Sequence, residues 1–507
     1  MTELSLTIVI SLYLLNVGIL SLFGAHSYVA IWRFFRGKSK QGLPADKTLK
    51  DYPRVLVQLP VYNEESSIYP LLDAIRKSDY PHGKMHVQIL DDSDDRTTSV
   101  IKTYLQSQTI PFHYSLVRRS NREGYKAGAL KYGMELDDSP FIVIFDADFR
   151  PAKTFIRKAV EKLIDKPHVG LIQGRWAYTN EIKSLWTHFQ AIGMDGHFAI
   201  EQPARAWNDF FMNFNGTAGI FRRTAIIDAG NWQGDTLTED LDLSYRAQLA
   251  GWKFEYAMDL PCPSEIPETI FAFKSQQFRW AKGSIQTLLK LYPAILSSGT
   301  TISRKIEAGF HLMHYLIHPF LLFNFMLSNL ILLNPEILTY YPIQYLVIPI
   351  LVASLGPSIL YQTSQNFLGK KVPGGILFYP LMISLGCAMA LNNSFAVLQA
   401  FFRINSPFVR TPKLGNLSKK YQPTTNHYFV YELLLAGLGL YSLANTTSDF
   451  WFLIPFVCLY TAGFLTLSLG SFVEWLQTSI TTPSQPKISL WRKNMAASKT
   501  ICEKTIP

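Results

Sequence analysis

Two hydrophobic patterns divide the chain. Uninterrupted apolar runs fill 4–32 and recur after residue 306, and each is about 20 residues or longer, enough to cross a bilayer as a helix. Between them, short β-rich runs alternate with amphipathic stretches. Arg54–Leu59, Met85–Leu90, Phe112–Val117 and Phe141–Phe145 read as strands separated by helices. That order predicts an α/β domain with a largely parallel sheet over 50–300, set between an N-terminal transmembrane helix (1–35) and a helical region (301–475). Within the latter, spans are expected at 306–333, 343–362, 429–446 and 450–472. The 374–402 run carries Asn392, Asn393, Ser394 and Gln399 in its second half and reads instead as a helix lying in or dipping into the interface.

Charge orients this arrangement. No basic segment precedes the first run, but Arg33, Arg36, Lys38 and Lys40 follow it directly, so it reads as a retained anchor with the middle domain on the cytosolic side. The same bias makes the 403–428 loop and the 476–507 tail cytosolic. The formal charge of +10 clusters beside apolar runs, where it meets anionic headgroups. Membrane lipids are therefore expected partners, and nucleic acid is not. Cys262, Cys387, Cys458 and Cys502 show no CxxC spacing, which points to neither a zinc site nor a disulfide framework.

In open α/β sheets ligands bind beyond the carboxyl ends of the strands. Here those ends are polar: Tyr62-Asn63-Glu64, Asp91-Asp92, Arg118-Arg119 and Asp146-Ala147-Asp148. Asp146 and Asp148 sit two apart, and in an extended chain both face one side, where hard oxygen ligands suit Mg²⁺ or Mn²⁺. A solvated strand end is the bland alternative. Four acids in five residues at 91–95 are unfavourable without a cation or basic partner; Asp94 and Asp95 are also placed to cap the next helix. The Arg122–Leu130 stretch brings cations and small residues to a helix start, where backbone N–H groups and Lys126 can receive phosphate oxygens. Thr238-Glu239-Asp240 precedes a helical pattern, so Thr238 is either a simple cap or the lead-in to a general base at Asp240. Gln276, Arg279 and Trp280 share a helix face that suits either a sugar phosphate or the membrane surface.

The ordered series PVYNE (60–64), LDDSDD (90–95), KAGAL (126–130), DAD (146–148), FNGTAG (214–219), TED (238–240) and QQFRW (276–280) resembles the membrane-integrated members of glycosyltransferase family 2. That group holds cellulose synthases, plant cellulose-synthase-like mannan and glucan synthases, and hyaluronan and chitin synthases. The resemblance covers roughly 53–413 and implies a GT-A-type, Rossmann-like α/β domain. It assigns Tyr62, Glu64, Asp91, Asp92 and Lys126 to a nucleotide-sugar, Asp146 and Asp148 to its diphosphate and a metal, and Asp240 as catalytic base. Glu239, Gln276, Arg279 and Trp280 would serve the diphosphate and the acceptor end. Phe408-Val409-Arg410-Thr411-Pro412-Lys413 looks like the gating loop of cellulose synthases, with Phe408, Thr411 and Lys413 in the matching positions and Arg410 and Pro412 departing from the pattern.

The expected reaction is inverting transfer of a hexose from a UDP- or GDP-sugar to a growing β-linked glucan or mannan. The alternative within the same resemblance is transfer of one sugar to a membrane lipid. A transporter with a nucleotide-binding domain is a third reading, weakened because Glu307, His311, His314, His318 and Glu432 are the main ionisable groups in the apolar runs. The 174–215 region is expected to shape the sugar pocket.

Overall fold

A computed structural model describes residues 3–39, 48–337, 347–372, 375–404 and 428–481. The gating-like segment with Phe408, Thr411 and Lys413 lies outside the described residues, as does the tail beyond 481.

Seven strands form one sheet: β1 (Val55–Val61), β2 (Met85–Asp91), β3 (His113–Val117), β4 (Phe141–Ile144), β5 (Val169–Tyr178), β6 (Gly219–Arg222) and β7 (Lys253–Ser264), in the order β3-β2-β1-β4-β6-β5-β7. The four strands expected from the sequence are present within two residues at each end. β1 pairs in parallel with β2 and β4, and β2 with β3. The sheet is mixed rather than purely parallel, because β6 runs antiparallel between β4 and β5. That reversal matters for the site. It brings the start of β6, not its end, to the edge where β1, β2, β4, β5 and β7 finish.

Both faces of the sheet are covered at its centre, which is why β1 and β4 read as nearly continuous apolar runs. Val55, Val57 and Leu59 pack on one face beside Ile68, Leu71 and Ile101 of the crossover helices. Leu56, Ile142 and Ile144 pack on the other beside Leu130 and Leu243. Gln58, fully buried in the centre, donates through Nε2 to the Leu130 carbonyl (3.2 Å) and to Gln88 Oε1 (3.2 Å), while its own Oε1 has no hydrogen-bond partner among the described residues.

Among the described residues, four helices are long and apolar enough to cross a membrane: Glu3–Lys38, Ile302–Leu332, Phe378–Phe401 and Ile454–Gln477. Helices also form at Val347–Leu368 and Tyr428–Asn445, overlapping the other two expected spans, though neither is among the four. The interfacial reading of 374–402 rests on four polar residues, three of which make inter-helix hydrogen bonds, while the hydroxyl of the fourth, buried Ser394, has no partner among the described residues. Asn392 donates to the Lys274 carbonyl (3.1 Å), Asn393 bonds His318 Nε2 (2.9 Å), and Gln399 Oε1 accepts from Lys282 (3.1 Å). They face protein, so they do not mark a solvent-facing stripe.

Candidate active site

The first two strand ends are stitched to each other. Asn63 adopts a positive φ of 58°, its N–H reaches Ser93 Oγ (2.9 Å), and its side chain exchanges hydrogen bonds with Asp94. This turn presents Tyr62 and Glu64 toward a cavity of about 220 Å³. Asp92 lines the same cavity, held by Arg119 through Nε (3.1 Å) and Nη2. The Arg122 guanidinium lies 3.3 Å from the centre of the Tyr62 ring. A flat aromatic surface next to a carboxylate can receive a nucleoside's base and ribose.

Asp91, assigned by resemblance to the nucleotide, does not line the cavity. It is buried, accepting from Ser93 N–H (3.0 Å) and Thr98 Oγ1 (2.6 Å), and so fixes the loop that aims Asp92. Asp95 Oδ1 accepts from Thr97 N–H (2.9 Å) at the first residue of the next helix, but the N-cap position is Arg96 and carries no side-chain capping bond, whereas Asp94 is tied to Asn63.

Asp146 and Asp148 both reach the cavity, though not through the extended geometry expected of them. β4 stops at Ile144, and a turn closed by Phe149 N–H to the Asp146 carbonyl (3.0 Å) carries the two acids. Lys126, in the first turn of the Tyr125–Glu135 helix, donates to Asp146 Oδ1 (2.5 Å) and to the Gly216 carbonyl (2.8 Å). Burial alone would lower the Lys126 pKa, but Asp146, Glu239 and Asp240 hold it above its ordinary value, so it stays an ammonium.

Among the described residues no group of three or more His, Cys, Asp or Glu side chains is arranged to hold a metal on its own. The donor set fits a shared site instead. Asp146 and Asp148 supply carboxylate oxygens, and a diphosphate would complete the shell of a hard cation such as Mg²⁺ or Mn²⁺. Seven carboxylates line the cavity against three cations, Arg122, Lys126 and Arg279, a balance acidic enough to favour one.

Glu239 and Asp240 open the Glu239–Leu249 helix. Thr238 makes no side-chain capping bond; its hydroxyl instead meets Thr287 Oγ1 (3.4 Å) on the Ile270–Ser297 helix. The two helices touch closely at Gly283, where a Cβ would come within 2.5 Å of Thr238 Cγ2. Leu237 N–H to Gln286 Oε1 (2.9 Å) adds a second tie. This docking sets Asp240 beside Gln276, Arg279 and Trp280, all on the cavity wall. Burial, and then the neighbouring Glu239, push the Asp240 pKa above the usual carboxylate range. A carboxylate poised that way is a good proton acceptor near neutral pH.

Two predictions arise from this geometry. Gly216 has φ +77°, and a Cβ there would lie 3.0 Å from Asp240 Oδ2 and 3.3 Å from Lys126 Nζ. Gly216→Ala should therefore cut turnover by about 10-fold or more, since small misplacements of reacting groups are costly; wild-type turnover in that variant would show that the contact is idle. The raised Asp240 pKa also has a direction in pH. The base works deprotonated, so kcat should fall as pH drops below neutral, with a midpoint above the ordinary carboxylate value of about 4. A profile flat down to pH ~5 would contradict the assignment.

The sequence places the sugar pocket in 174–215, and Trp176, Tyr178, Met194 and Asn215 from that region do line the cavity. Sequence pattern does not single out Trp176, Tyr178 or Glu265 as individual residues. Trp176 stacks on Phe198 (centroids 4.7 Å apart), and neither its indole N–H nor the Tyr178 hydroxyl has a hydrogen-bond partner among the described residues. Glu265, from the residue after β7, reaches the cavity paired with Arg150.

The order of the sheet and the acidic loops at its carboxyl edge define the class, a GT-A-type glycosyltransferase. A family model described as glycosyl transferase family group 2 matches residues 141–360. Glucomannan 4-beta-mannosyltransferase 2 of Arabidopsis thaliana is 34% identical over 379 residues, covering 72% of this chain and 68% of that protein. Over a shorter stretch of 276 residues, "Probable glucomannan 4-beta-mannosyltransferase 7" of Oryza sativa subsp. japonica is 42% identical, covering 52% of this chain and 46% of its own length. Among solved structures, a mannosyltransferase from Pyrobaculum calidifontis in complex with GDP-Man and Mn2+ is similar over 77% of this chain, at 18% identity and a TM-score of 0.49. The chain belongs to glycosyltransferase family 2, in the cellulose-synthase-like group that includes the glucomannan mannosyltransferases.

Proposed function

We propose that the protein is a membrane-embedded synthase that transfers mannose from GDP-mannose, with inversion, to a growing β-1,4-linked polysaccharide at the cytosolic face. The kinship with mannosyltransferases supports the sugar, and the four long apolar helices support the membrane. The observation that carries the polymer reading is a second cavity of about 520 Å³ that shares Trp176, Asn215, Asp240 and Trp280 with the first and continues among the helices. His314, Tyr315, His318 and Asn324 on its walls offer rings and hydrogen-bonding groups to a saccharide. The acceptor would enter from that side and the donor from the other, meeting at Asp240.

Chemically, Asp240 takes the proton of the acceptor hydroxyl as that oxygen bonds to C1 and the C1–O bond to the diphosphate breaks. One displacement turns an α-linked donor into a β-glycoside. Lys126 and Arg279 face the negative charge that develops on the leaving diphosphate. A divalent cation held by Asp146 and Asp148 would neutralise the same charge. Tyr62 and Asp92 hold the nucleoside, and Trp280 stacks on the acceptor's terminal sugar.

The test is the physical state of the product. Protein in nanodiscs supplied with GDP-mannose should yield an insoluble glycan that an endo-β-mannanase degrades. A product that partitions into organic solvent with one sugar per lipid would replace the polymer reading with glycolipid synthesis.

A further inference from the structure

The first turn of the Ile270–Ser297 helix is held from outside the α/β domain. Glu474, on the Ile454–Thr481 helix, accepts the backbone N–H of Ile270 through Oε1 (2.6 Å) and that of Phe271 through Oε2 (3.0 Å). A carboxylate chelating the first two N–H groups complements both the orphan donors and the positive end of the helix dipole. One turn on, Lys274 is buried and donates to Glu432 Oε2 (2.7 Å) and to Ser471 Oγ (2.9 Å). Gly470 presses against the same turn, where a Cβ would come within 2.3 Å of Ile270 Cδ1. The next turn carries Gln276, Arg279 and Trp280. A helix gripped at 270–274 cannot slide or rotate without moving those three side chains.

We propose that Glu474, Lys274 and Glu432 are positioning residues for transfer: the last two helices set the axial height and rotation of the helix that presents Gln276, Arg279 and Trp280 to diphosphate and acceptor. This rests on the substrate roles given above to those three residues. It gives a task to Glu432, an ionisable group in an apolar run. The nucleoside end of the donor, held at Tyr62 and Asp92, does not depend on the grip.

The test separates turnover from nucleotide binding in the full-length protein in nanodiscs. Glu474→Gln and Glu432→Gln should each lower kcat by about 10-fold or more while the affinity for GMP, which reports the nucleoside end without the diphosphate, stays within about threefold. The charge-swapped double variant K274E/E432K should recover most of the turnover lost in Glu432→Gln. Wild-type kcat in both single variants overturns the inference. So does a parallel loss of kcat and GMP affinity that the swap does not separate, which is the mark of a merely structural role. Arg279→Ala run alongside distinguishes the two layers. If it turns over normally, the assignment of the 276–280 face fails and the inference with it. If it is inactive while Glu474→Gln and Glu432→Gln turn over normally, the inference alone fails.

Discussion

Asp240→Asn should lower kcat by at least about 100-fold and leave nucleotide-sugar binding within about twofold. The substitution keeps the shape of the side chain and removes its ability to take a proton. A general base is needed as the acceptor oxygen attacks and contributes little to ground-state affinity, so the loss belongs in kcat. Hundredfold corresponds to about 2.7 kcal/mol of transition-state stabilisation. The neighbourhood makes the effect specific. Asp240 Oδ1 already accepts the Leu241 N–H (2.9 Å), which an amide oxygen still can do, so the helix start survives the change. Near-normal turnover in Asp240→Asn would remove this residue from the mechanism and leave Glu239 as the other acid of that turn that lines the cavity.

Chelation should have the second large effect. With EDTA, transfer should stop, and added Mg²⁺ or Mn²⁺ should restore it, because Asp146 and Asp148 oppose a diphosphate and like charges repel at that range. Lys126 is bonded to Asp146 and Gly216 and offers one positive charge, too little to offset both carboxylates and the phosphates. Asp148→Ala should raise the cation concentration needed for half-maximal rate, by about 10-fold or more. Full activity in EDTA would show that Lys126 and Arg279 manage the leaving group without a metal.

Much of this arrangement is legible in the amino-acid sequence. β1, β2 and β4 are rich in Val, Ile and Leu and β3 ends on Leu116-Val117, and all four fold where the sequence places them. β5 and β7 are hidden for a physical reason: Gly170 and Gly174 interrupt β5, and Pro261 and Pro263 sit near the end of β7. Gly174 is demanded by packing, since a Cβ there would meet Phe155 and the Leu260 carbonyl at 2.8 Å. With β5 obscured, Trp176 and Tyr178 at its carboxyl end are obscured too, although the rule that ligands bind beyond strand ends points straight to them once the strand is known. Motif order finds the acids of the cavity but does not separate Asp91 from Asp92. Adjacent residues at a strand end face opposite ways, and only the partners Ser93 and Thr98 reveal which carboxylate turns inward. The grip of Glu474 on residue 270 spans 204 positions of sequence, a separation no local pattern reports.

Inverting transfer of mannose to a β-linked chain fixes the anomeric configuration of the product. Purified protein in nanodiscs, given ¹³C-labelled GDP-α-mannose and Mg²⁺ or Mn²⁺, should yield new glycosidic carbons whose one-bond C1–H1 coupling is that of β-mannosides, with methylation analysis giving 4-linked mannose. α-Configured linkages would contradict single displacement through Asp240, and incorporation from UDP-glucose but not from GDP-mannose would contradict the assigned donor.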